Sequence, residues 1–139
     1  MEISQNMKNE LINEIRFVVN RMADTDSPSE KLYYFSALYG VAQRIINFEY
    51  DPELVFIQQV LQYVHNVVNS RIAALKTGQQ EPICIPNELF TSLTNTVTEM
   101  ANNIEQGNNV YPQLQAMMNL TYSTTGNGYY LYLKGMLKI

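Results

Sequence analysis

Residues 51–78, DPELVFIQQVLQYVHNVVNSRIAALKTG, decide the fold. Leu54, Ile57, Leu61, Val64, Val68, Ile72 and Leu75 recur at steps of three and four, the spacing that puts apolar side chains on one face of an α-helix. Both ends carry stop signals. Asp51 can accept from the free amides of the first turn, Pro52 is preset for the first helical position, and Gly78 can take the left-handed conformation that ends a helix. Val60 and Val67 widen the apolar band, and the opposite side holds Gln58, Gln59, Gln62, Tyr63, Asn66, Asn69 and Ser70. No formal charge falls between Glu53 and Arg71, so this helix is expected to touch neighbours on more than one side.

Outward from this spine the same periodicity continues. Residues 2–24 carry Ile3, Met7, Leu11, Ile15, Val18 and Met22 as one stripe, with Glu and Arg residues mostly off it. Ser27-Pro28-Ser29-Glu30 has the form of a capping box with proline at the first helical position. It predicts a second helix through Leu32, Phe35, Tyr39, Ala42 and Ile46, ending near Glu49 because Pro52 follows. A linker over 77–86 holds Ile83-Cys84-Ile85, a triplet expected to tuck over one end of the core. A further helix over 86–106 uses Leu89, Leu93, Val97, Met100 and Ile104 and stops at Gly107. Tyr111-Pro112 opens a shorter amphipathic stretch with Leu114, Met117, Met118 and Thr121, closed by Gly126-Asn127-Gly128. Residues 129–139 fit a strand or a short helix, and with no partner strand elsewhere the helix is expected.

Short connections favour antiparallel neighbours. The expected fold is therefore all-α, one domain over 1–139: an up-down-up-down four-helix bundle with a short helical C-terminal element packed across it.

The totals narrow the function classes. With 139 residues and 46% hydrophobic content the chain can bury a core, and its formal charge of −4 gives no basic excess to attract a phosphate backbone. Nucleic acid is not an expected partner. No apolar run approaches the ~18 residues of a membrane-spanning helix, and one cysteine, Cys84, cannot form an intrachain disulfide. With no secretory pattern at Met1 onward, the cytoplasm is the expected compartment.

No motif names a reaction. Di-metal carboxylate bundles need Glu-x-x-His pairs, whereas Gln62 stands three residues before His65, the single histidine. A zinc site would need four Cys or His ligands, and only Cys84 and His65 exist, so no metal or cofactor is expected. Phosphate-cradling glycine loops are absent from the sequence, as is a nucleophile-elbow context. An enzymatic or ligand-binding alternative would place a pocket between the second, third and fourth helices, lined by Tyr39, Arg44, His65 and Met100. Arg16, Arg44 and Arg71 could also gather to hold an anion, although arginines near helix edges are more often paired with surface acids.

The leading functional expectation comes from elsewhere. Residues 106–133 contain no charged side chain, and they hold or adjoin Tyr122, Tyr129, Tyr130 and Tyr132. Charge depletion with aromatic enrichment is the composition of an interface core. A non-enzymatic protein acting through self-association or a protein partner, by way of this region, is the function expected.

Overall fold

The computed structural model describes residues 1–76, 88–124 and 134–135. Five helices occupy them, with no strand among the described residues: α1 (Gln5–Ala23), α2 (Pro28–Ile46), α3 (Pro52–Lys76), α4 (Leu89–Glu105) and α5 (Tyr111–Tyr122). The expected stop at Gly78, the Ile83-Cys84-Ile85 triplet and the helix over 129–139 lie outside the described residues, Lys134 and Gly135 apart.

Each helix begins where its local chemistry allows. The Ser4 hydroxyl accepts from the Met7 amide at 3.3 Å to start α1, and the Ser27 hydroxyl accepts from Glu30 at 3.3 Å to start α2. The capping box at Ser27 closes through a third residue. Glu30 does not reach back to the Ser27 amide; Thr25 sits between them, accepting from that amide at 3.2 Å and donating to the Glu30 carboxylate. Asp51 caps α3 by accepting from Leu54 at 3.1 Å. Gly107, at φ +78°, ends α4 in the left-handed conformation, and the next amide, of Asn108, donates back to the Asn103 carbonyl at 2.8 Å. Tyr111 and Pro112 lead α5 as expected, and α2 stops at Ile46, one turn before Glu49.

The main packing pairs are α1 with α2 and α4, α2 with α3, and α5 with both α3 and α4. The core runs through all five helices. Its largest wholly buried side chains include Phe35, Leu11, Ile15, Met22, Leu38, Leu54, Ile57, Leu61 and Leu93, and α5 adds Leu114, Met117 and Leu120. The apolar band of α3 is buried from Leu54 to Ile72 but not at its end, since Leu75 is 45% exposed. At α5 the stripe is rotated from the expected one: Leu120 is buried, while Met118 is 39% exposed.

Three alternating carboxylates, Glu49, Asp51 and Glu53, tie the beginning of the chain to the beginning of α3. Glu49 accepts from the Ser4 amide at 2.8 Å and its hydroxyl at 2.7 Å. Asp51 accepts from the Glu2 amide at 2.9 Å with the oxygen that Leu54 does not use. Glu53 accepts from the Val110 amide at 3.2 Å, on the α4–α5 connection, and its other oxygen lies 2.9 Å from the Met1 α-ammonium. Asp51 and Glu53 are buried. Burial alone raises the Asp51 carboxyl's pKa. The amides of Glu2, Leu54 and Glu53 together with the α-ammonium outweigh it, and the group is held below its ordinary value of 3.8.

Candidate functional site

The four residues of the expected pocket do not converge as a set. Tyr39 of α2 and His65 of α3 do meet, edge to face, with ring centroids 5.3 Å apart. His65 is half-buried on the shoulder of the apolar band, and its Nδ1 lies 3.3 Å from the Asn66 side-chain oxygen. Arg44 is exposed and pairs with Glu10 of α1, while Met100 is wholly buried in the core face of α4. Nor do the three arginines gather. Arg16 pairs with Glu105 at 3.1 Å and reaches Asn102 at 3.4 Å, Arg44 goes to Glu10, and Arg71 lies apart on α3. Among the described residues no group of three or more His, Cys, Asp or Glu side chains is placed to hold a metal ion.

Of the expected interface residues, Tyr122 is described and is 44% exposed; Tyr129, Tyr130 and Tyr132 lie outside the described residues. Tyr122 shares a groove with Tyr63 and Met118. Tyr111, Met118 and Tyr122 project from α5, and Phe56 and Tyr63 project beside them from α3, all five exposed. Phe56 and Tyr111 touch across the two helices, their ring centroids 6.0 Å apart. About two turns further, Tyr63, Val67 and Arg71 of α3 and Met118, Asn119, Thr121 and Tyr122 line a groove of about 350 Å³. A shallower depression of about 250 Å³ adjoins it and shares Tyr63, Val67 and Arg71, with Asn66 and Ser70 on its far side.

The sequence pattern pointed to half of this face. The uncharged run ending at Arg71 marks the outer side of α3, and the charge-free run from Gln106 marks α5. That the two lie side by side depends on the α3–α5 packing, which helix periodicity does not encode. The packing also explains the amide coat of α3: Gln58 is buried and donates to the Gln62 side chain at 2.7 Å, so part of that side is covered.

Comparison with protein-family models, with curated protein sequences and with solved structures finds no match to this chain. No helix among the described residues is long and apolar enough to cross a membrane.

Proposed function

We propose that this is a non-enzymatic cytoplasmic protein, a single helical domain, that acts through self-association on the face formed by α3 and α5. Its topology in this proposal is an up-down-up-down bundle of α1 to α4, with α5 laid across α3 and α4. The carrying observation is the side-by-side exposure of Phe56, Tyr63, Tyr111, Met118 and Tyr122 on two adjoining helices. Exposed apolar side chains gathered on two packed helices suit a contact site. A second copy is the proposed occupant. The chain carries −4 overall, so two copies repel each other at long range, but among the described residues the lining of the α3/α5 groove contributes one charged side chain, Arg71, and no acid, which leaves little charge to desolvate there. Tyrosine suits such a contact because it offers apolar area with a hydrogen-bonding tip.

Sedimentation velocity across a wide concentration range tests this. The wild-type mass is expected to rise with concentration, and Met118→Glu combined with Tyr63→Glu to hold the chain monomeric with unchanged helicity. A wild-type protein that stays monomeric at every concentration would overturn it. The ligand-site alternative, with Tyr39, Arg44, His65 and Met100, draws support from the Tyr39–His65 ring contact alone.

A further inference from the structure

Arg71 is the residue the fold leaves unexplained. Its Nε is buried and has no hydrogen-bond partner. The ion pairs among the described residues join Met1 to Glu53, Arg16 to Glu105 and Arg44 to Glu10, and none involves Arg71. A guanidinium N–H taken out of water without an acceptor is unfavourable, and an arginine on a helix face could swing its head into solvent instead. Here Arg71 lines the groove with Tyr63, Val67, Met118, Asn119, Thr121 and Tyr122 while its Nε stays buried.

We propose that this groove binds a small organic monoanion, a carboxylate carried on an aromatic or branched apolar body, with Arg71 as the anion anchor. The guanidinium fork matches a carboxylate in two parallel hydrogen bonds. Among the described residues no carboxylate lines the groove to compete for it. Tyr63, Val67 and Met118 form apolar walls for the body, and the side chains of Asn119 and Thr121 offer polar contacts at the rim. The volume, about 350 Å³, falls at the small end of the range for organic ligands. A single cation among the described residues of the lining favours a monoanion over a phosphate dianion. The groove shares Tyr63, Met118 and Tyr122 with the face proposed for self-association, so the ligand site is tested on the monomeric chain.

The test uses the full chain at a dilution where it has a single mass, followed by amide and side-chain NMR shifts. The probes are benzoate, 3-phenylpropionate and 4-methylpentanoate, with 3-phenylpropanamide as the neutral match and inorganic phosphate as the bare anion. Saturable shifts at Val67, Arg71 and Asn119 are expected from at least one acid, with the amide and phosphate weaker by roughly tenfold or more. Arg71→Gln is expected to weaken the acid by roughly ten- to a hundredfold, and Arg71→Lys to retain part of the affinity. Val67→Trp, which fills the groove and leaves the charge in place, is expected to abolish binding even if Arg71→Gln fails to fold. Absence of saturation by every acid up to about 10 mM would overturn the proposal, since affinity that weak is not selective. Binding that survives both Val67→Trp and the loss of the carboxylate would overturn it equally.

Discussion

Replacing Asp51 tests the clasp at the start of α3 most directly. Asp51 is 6% exposed, and its carboxylate accepts from the backbone amides of Leu54 at 3.1 Å and Glu2 at 2.9 Å. Losing a helix cap costs about 1 kcal/mol. Leaving the Glu2 amide without its charged acceptor adds roughly 1–3 kcal/mol, so Asp51→Ala is expected to lower stability by about 2–4 kcal/mol. Asn keeps one acceptor oxygen but turns an N–H toward the other amide, and Asp51→Asn is expected to fall near half of that loss, about 1–2 kcal/mol. The pH dependence carries a definite sign. Because the folded-state carboxyl lies below its ordinary value of 3.8, the unfolded chain takes up the proton more readily as pH falls. The stabilisation is therefore fully present above the ordinary value and is lost as pH falls through the lower, folded one. Urea unfolding of wild type and Asp51→Asn, repeated from about pH 7 down to about pH 3, is expected to show a gap in midpoint that is constant near neutrality and narrows at the acid end. A gap that does not change with pH, or an Asp51→Ala protein within about 0.5 kcal/mol of wild type, would refute the account, since changes that small are usual for surface sites.

Glu53 should be more sensitive still, because it serves both the Met1 α-ammonium and the Val110 amide from a buried position. Glu53→Ala is expected to destabilise by roughly 3–5 kcal/mol and Glu53→Gln by less, measured by urea midpoint, because removing one partner strands a buried charge. Two glycines should respond to alanine with opposite signs. Gly107 has φ +78° and Gly40 lies inside α2, and a Cβ at either meets nothing within 4 Å. Gly107→Ala is thus expected to lower stability by about 1 kcal/mol through backbone strain alone, whereas Gly40→Ala raises it by about 0.5–1 kcal/mol; thermal unfolding reads both.

Helix periodicity and end signals carried most of the fold. All five described helices lie within a few residues of their expected spans, because Ser27, Asp51-Pro52, Gly107 and Tyr111-Pro112 impose boundaries through local geometry. Local signals do not say which helices share a wall. The packing of α5 against both α3 and α4 joins Tyr63 to Met118 across 55 positions of sequence, and it alone turns two uncharged stretches into one face. The same limit hid the clasp, since Asp51 reads only as a helix cap, and Glu49 and Glu53 as ordinary surface acids, until residues 1–4 are folded against them. Of the candidate pocket residues, Tyr39 meets His65, whereas Arg44 pairs with Glu10 of α1, a partner that helix periodicity does not name.

The clasp also has a kinetic consequence. Its contacts join residues 45 to 57 apart in sequence, whereas each helix is closed by bonds three or four residues long. Such links gain nothing until the α1–α2 and α2–α3 hairpins are already docked, so they belong late in folding. Their strength then sits almost wholly on the native side of the barrier. Weakening Asp51 or Glu53 is expected to steepen the loss of native protein over time while leaving the rate of its formation nearly unchanged, which stopped-flow folding and unfolding limbs would separate.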